Sequence, residues 1–247
     1  MRKSILTLGI AAVLTGVLAT CSMAYAADDE LAQIQESGKL KVGVEGTYPP
    51  YTYHDDNGEL TGFDVEVAKA IADKLGVEAD FTESDWDSLL AGIDSGRLDT
   101  VINAVSITPE REEKYDFAGP YFYITQQIVV AKDNDDIVDM ASLDGKKVAN
   151  TATTAYLDIL EDAGASLVQI STADEAVSLI ESGRADFTTF NSVVFNEYLQ
   201  QHPDANLRLH LRFQMWLIPY AVPIKKGETA LYDAVQNAID ELKKTEL

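Results

Sequence analysis

The chain has 247 residues, 46% of them hydrophobic, with 19 basic side chains against 41 acidic ones and a formal net charge of −22. A surface this acidic repels nucleic acid and anionic lipid, which excludes both as expected partners. One cysteine cannot form an internal disulfide, so the core itself must hold the fold, and the length suffices for one or two domains.

The first 26 residues read as a cleavable leader. Arg2 and Lys3 form a basic start, Ile5 to Thr20 is an apolar stretch short for a membrane span, and Ala24-Tyr25-Ala26 is a small-x-small cleavage site. Cys21 offers a lipoprotein start instead. Leu18-Ala19-Thr20 fits that poorly, because such signals carry a smaller residue before the cysteine, so soluble export is expected over a lipid anchor at Cys21. Loss of Arg2 and Lys3 takes the net charge to −24.

Leu40 to Glu45 alternates as a first strand. Pro49-Pro50 interrupts it, Tyr51-Thr52-Tyr53 is extended, and Asp55-Asp56-Asn57-Gly58 is a hairpin turn and not a calcium loop, since the twelve-residue ligand layout is missing. Asp64 is expected to cap a helix with Val67, Ala68, Ile71, Ala72 and Leu75 on one face, ended by Gly76. A strand at Val77–Phe81, a helix at Trp86–Asp94 and a strand at Leu98–Ile102 follow. The pattern restarts after the loop Lys132–Asp136. Strands are expected at Lys147–Ala149, Leu167–Ile170 and Asp186–Thr189, and helices at Thr154–Ala163, Ala173–Glu181 and Ser192–Gln201. Leu231, Val235, Ala238, Ile239 and Leu242 line a last helix.

A phrase in the first half recurs in the second. Leu89 to Ile102, with Ser95-Gly96-Arg97-Leu98-Asp99, is echoed 87 residues later by Val177 to Thr188, with Ser182-Gly183-Arg184-Ala185-Asp186. Each copy is an amphipathic helix, a glycine that ends it and a buried strand. The expected fold is α/β, in two similar lobes with mainly parallel sheets and not one large sheet. Residues 38–126, completed by 223–247, form lobe 1, and residues 127–222 form lobe 2. The chain is expected to cross between them near 126–131 and 218–223, two extended runs that make a hinge.

In open α/β sheets small ligands sit beyond the carboxyl ends of the strands. That rule selects Glu45 to Tyr51, Trp86, Asn103 to Arg111 (with Ala104 and Ser106), Asn150 to Thr154 and Phe190 to Ser192. Within Ser106-Ile107-Thr108-Pro109-Glu110-Arg111, Thr108 suits an N-cap, Pro109 the first helical position and Arg111 the third. Free N–H groups and a guanidinium then meet at one helix end, a combination suited to a carboxylate. An exposed ion pair of Arg111 with Glu110, Glu112 or Glu113 is the plainer alternative. Tyr48, Tyr51, Tyr53 and Trp86 can wall a pocket, with core packing the plainer role for Tyr53. Thr151, Thr153 and Thr154 are hydroxyls at a strand-to-helix junction, where capping and ligand binding coexist. His54, His202 and His210 lack zinc-ligand spacing, and no phosphate loop, nucleophile elbow or Cys-His pair occurs, so neither metal nor cofactor is expected.

Five phrases carry a resemblance: Val42 to Tyr51, Leu60 to Ala68, Trp86 to Gly92, Ser106 to Arg111, and Tyr115-Asp116-Phe117. With them the chain resembles the family 3 extracellular solute-binding proteins, of the periplasmic binding protein type II-like fold, over residues 38 to 245. The resemblance implies an exported, periplasmic, monomeric receptor that closes on a polar amino acid and delivers it to an ABC transporter permease. It also implies that Arg111 binds the ligand carboxylate with Ser106 and either Thr153 or Thr154, while Tyr48 and Trp86 sandwich the side chain. The Trp86-Asp87-Ser88 context and Ala149 to Thr154 look most like the cystine-binding branch. Two departures stand out. Phe190-Asn191 occupies the place where the family holds the ligand ammonium with an aspartate, leaving Asn191 as an acceptor and Glu45 as a source of charge. Relatives also continue past the position of Leu247 to an aromatic-ended segment, and its loss is expected to expose part of lobe 1.

Other functions fit the same fold. Some similar proteins are exported dehydratases of prephenate-like acids, for which Glu45 is the one candidate general acid, and a sensor module that binds a partner domain is a third reading. The receptor, a non-enzyme, is the leading expectation.

Overall fold

The computed structural model describes residues 29–245, so the leader, its cleavage site and Cys21 lie outside the described residues. In chain order the elements are α1 (Glu30–Ser37), β1 (Lys39–Val44), β2 (Thr47–Tyr48), β3 (Thr52–His54), β4 (Leu60–Thr61), α2 (Phe63–Leu75), β5 (Glu78–Glu83), α3 (Trp86–Asp94), β6 (Thr100–Val101), α4 (Pro109–Glu112) and β7 (Tyr115–Ala131). A 3-10 turn at Met140–Leu143 leads to β8 (Lys147–Asn150), α5 (Leu157–Asp162), β9 (Ser166–Gln169), α6 (Ala173–Glu181), β10 (Phe187–Asn191), α7 (Ser192–Gln201), β11 (Leu207–Lys225) and α8 (Thr229–Thr245).

The strands of the two halves join in one eight-stranded ladder, in the order β5-β1-β6-β11-β7-β10-β8-β9. The outer pairs β1–β5, β1–β6, β8–β10 and β8–β9 are parallel, as the alternation of strand and helix implies. Continuity comes from β7 and β11, antiparallel partners of 17 and 19 residues, each roughly 60 Å of extended chain and long enough to serve both lobes. Ile107 N–H reaches Pro219, and β10 pairs with β7 from Gln126 onward. Between these, Ile124 and Thr125 face Ile218 and Leu217. The length of these strands was hidden because Arg208, His210 and Arg212 break any apolar pattern in β11, and Gly119-Pro120 breaks it in β7.

The duplicated phrase folds the same way twice. Gly96 and Gly183 sit at φ 70° and 69°, where a side chain is disfavoured, and turn the chain out of α3 and α6. Three residues on, Asp99 accepts from Lys41 N–H at 2.7 Å and Asp186 accepts from Lys147 N–H at 2.7 Å. Each aspartate thus fastens the start of the strand beside it, β1 in one half and β8 in the other.

Buried Val67, Ala68, Ile71, Ala72 and Leu75 pack α2 on the sheet, and Leu231, Val235, Ala238, Ile239 and Leu242 do the same for α8. At about 1.5–3 kcal/mol for each fully buried Val, Leu or Ile side chain, such stripes are a large part of what holds these helices in place. Two helix starts differ from expectation. Asp64 lies inside α2, whose N-cap is Gly62 at φ 124°, and its side chain is fully buried. Helix α5 begins at Leu157, not Thr154, because Thr151–Tyr156 forms a loop whose polar groups are held from the other half.

Candidate functional site

A cleft between the halves has a cavity of about 110 Å³, several times the space one water needs. Its walls include Glu45, Tyr48, Trp86, Ala104, Ser106, Arg111 and Thr154, seven of the nine residues singled out from sequence. They arrive from the carboxyl ends of β1, β5, β6 and β8, as the strand-end rule requires.

Arg111 is the centre of the first-half wall. Thr108 caps α4 by accepting from Arg111 N–H at 3.2 Å, with Pro109 following the cap, so the side chain turns inward and is only 8% exposed. Nη1 donates to the Ser106 carbonyl at 2.9 Å and Nη2 to the Thr153 carbonyl at 2.8 Å, while Cζ lies 5.4 Å from the Trp86 ring centroid. None of the neighbouring glutamates forms an ion pair with it among the described residues. Burial works against its charge, which favours an anion as the occupant of the cleft.

The hydroxyls of Ser106 and Tyr156 meet at 3.2 Å across the cleft. Tyr48 stacks on Tyr51 at 5.5 Å, and Tyr51 meets Tyr220 edge-on at 6.0 Å, giving one aromatic side. Glu45 Oε2 accepts from Asn103 at 2.7 Å, and desolvation pushes its carboxyl up to about 7. Ala104 holds φ 52°, an uncommon conformation for a residue with a Cβ; its N–H donates to Asp64 at 2.6 Å. Asp64 also accepts from Tyr121 at 3.0 Å, and its burial raises its carboxyl to about 7.

Two of the nine residues are placed otherwise. Thr153 does not line the cavity: its side chain and N–H are taken by Asp87, and only its carbonyl turns to Arg111. Asn191, fully buried, is also absent from the cavity wall. Its Oδ1 caps α7 by accepting from Val194 N–H at 2.9 Å, and its Nδ2 faces the Tyr220 hydroxyl at 3.4 Å. The acceptor expected to meet a ligand ammonium is therefore spent on a helix end, a strong preference of asparagine.

Sequence reasoning missed Gln126, Ala155, Tyr156, Ile170 to Ala173, Thr188, Thr189 and Tyr220. The strand-end rule applied to β9 would have found Ile170 to Ala173. Gln126 and Tyr220 lie within β7 and β11, where that rule is silent. Among the described residues no group of three or more His, Cys, Asp or Glu side chains is placed to hold a metal ion, and no helix is long and apolar enough to cross a membrane.

Comparison with known proteins identifies the family. The model of the bacterial extracellular solute-binding proteins, family 3, matches residues 40–247. The L-cystine-binding protein TcyA of Bacillus subtilis is 36% identical over 252 residues, covering 98% of this chain and 93% of the relative. A probable amino-acid ABC transporter-binding protein of Haemophilus influenzae is 34% identical, with the same coverage. The crystal structure of the ancestral amino acid-binding protein AncCDT-1, a precursor of cyclohexadienyl dehydratase, superposes with a TM-score of 0.77 at 32% identity, covering 87% of this chain and 94% of that one. The chain belongs to the bacterial extracellular solute-binding proteins, family 3.

Proposed function

We propose that this protein is an extracytoplasmic receptor for a polar amino acid, with cystine a leading candidate, that closes its two lobes on the ligand and presents the closed form to an ABC transporter permease. The observation that carries the reading is Arg111, a buried guanidinium aimed into a cleft whose opposite wall belongs to the other half. Arg111 and Ser106 serve the carboxylate, Thr154 adds a hydroxyl, and Tyr48 and Trp86 flank the side chain. The lobes are residues 38–126 with 223–247, and 127–222, in a monomer that binds no nucleic acid. The names of the Haemophilus and Bacillus relatives support the amino-acid and transport parts.

Calorimetry and thermal shift against the twenty amino acids and cystine test it. A ligand at a hundred times its Kd adds about 2.7 kcal/mol to the folded state, a shift easily read. Heat and a shift with a polar amino acid are expected; silence across the panel from a cooperatively melting protein overturns the reading.

Glu45 supports a second reading, a dehydratase of prephenate-like acids. A cleft carboxyl pushed to about 7 is suited to proton donation, and AncCDT-1, itself an amino acid-binding protein, is a precursor of cyclohexadienyl dehydratase. Turnover of prephenate followed by ultraviolet absorbance, abolished by Glu45→Gln, is the result that favours it.

A further inference from the structure

We propose that Gln126, on hinge strand β7, is a ligand-contacting and specificity-determining residue that supplies the neutral acceptor Asn191 does not. This rests on the amino-acid receptor reading. Gln126 is 5% exposed and lines the cleft. Its Oε1 is buried with no hydrogen-bond partner among the described residues, although a buried amide oxygen left unpaired is costly and rare. Its backbone sits in register with Asn191 on β10, whose own Oδ1 is committed to Val194. One ladder step thus holds two amides, one consumed in capping and one available to the cavity.

Chemistry narrows the class of ligand group. An amide oxygen accepts and carries no charge, so it suits an ammonium or amide N–H of a zwitterionic amino acid. Gln126 issues from β7 at the point where β10 joins it, one residue beyond the stretch in which Ile124 and Thr125 face Ile218 and Leu217, so a ligand held there meets the edge of the joint between the halves. It then discriminates by the hydrogen bond it demands: a ligand without a donor leaves Oε1 buried and unpaired.

The test compares the wild-type chain, stripped of bound ligand, with Gln126→Met, which keeps volume and removes the acceptor. Calorimetry uses L-cystine, L-arginine, L-glutamine and L-histidine, and thermal unfolding is recorded without ligand. The proposal expects the wild type to bind at least one of the four and Q126M to bind it about tenfold or more weakly, without any fall in the ligand-free melting temperature. Unchanged affinity in Q126M overturns the role of Gln126 while leaving the receptor reading intact. A lower ligand-free melting temperature also overturns it, because it shows that the amide serves the fold. No heat from the wild type with any of the four overturns this assignment together with a receptor for those amino acids.

Discussion

Asp87, at the start of α3 in the first half, holds Thr153 of the second half twice over: its Oδ1 accepts from the Thr153 hydroxyl at 2.6 Å and from the Thr153 N–H at 3.1 Å. Its other oxygen accepts from Gln169 at 3.3 Å. The same threonine offers its carbonyl to Arg111, so one loop of the second half is gripped from two helix starts of the first. In the receptor proposed above, contacts made only in the closed form set the balance between open and closed forms.

Removing that grip with Asp87→Ala is expected to shift the protein towards the open form. The contact is partly exposed, so its worth is about 1 kcal/mol, which weakens ligand binding about fivefold through the closed state without altering the cavity wall. Small-angle scattering should show a larger radius of gyration for D87A without ligand. An unchanged radius together with unchanged affinity would remove Asp87 from the closing mechanism.

Arg111→Lys keeps a positive charge and loses the planar fork. A lysine cannot engage a carboxylate through two parallel hydrogen bonds while also reaching Trp86, so the loss in affinity is expected to be about a hundredfold, or ~3 kcal/mol. Calorimetry with the best ligand of the wild type reads this directly. A loss under threefold would mean that a point charge is enough and that the fork has no role in recognition.

The buried carboxyl of Asp64 links stability to pH. In the unfolded chain it ionises near 3.8, and in the folded protein burial raises it to about 7. Below pH 4 both forms hold the proton and the contribution is fully present. Between pH 4 and 7 the unfolded chain releases its proton first, so stability falls as pH rises and levels off above 7. The loss attributable to this group is at most about 4 kcal/mol. Asp64→Asn does not titrate, so its denaturation free energy should decline less across that range. Glu45 titrates there too, but is partly exposed, so a slope remains. Parallel pH profiles for D64N and wild type would refute the linkage.

Gly62 opens α2 at φ 124° and ψ 170°, a region open essentially only to glycine. A Cβ there would run into the carbonyl oxygen of Tyr51, whose ring lies against both Tyr48 and Tyr220. Gly62→Ala is therefore expected to cost about 3 kcal/mol in urea denaturation and to loosen the aromatic wall of the cleft as well. Wild-type stability in G62A would show that the chain relaxes around the added methyl at no cost.

Much of the architecture was legible from local pattern. The 87-residue echo, the helices at Trp86–Asp94, Ala173–Glu181 and Ser192–Gln201, and the Thr108-Pro109 cap of Arg111 all follow from side-chain period and capping chemistry, which act over a few residues. Five cleft-lining segments were legible too, because strand ends in an alternating α/β chain face one direction.

What local pattern could not reach was decided by partners distant in sequence. Asp64 reads as a cap until the fold brings Ala104 and Tyr121 to its carboxylate, 40 and 57 residues away. Thr153 reads as a cleft hydroxyl until Asp87, 66 residues earlier, takes it. Asn191 reads as a ligand acceptor, yet the helix it begins uses that oxygen first. The chain by itself determined most of the helices, the outer parallel strands and the turns between them, and that Arg111 stands at a helix start. Only the tertiary structure decided which polar groups remain unspent in the cleft, because a donor or acceptor is available to a ligand only once every competitor for it has been placed.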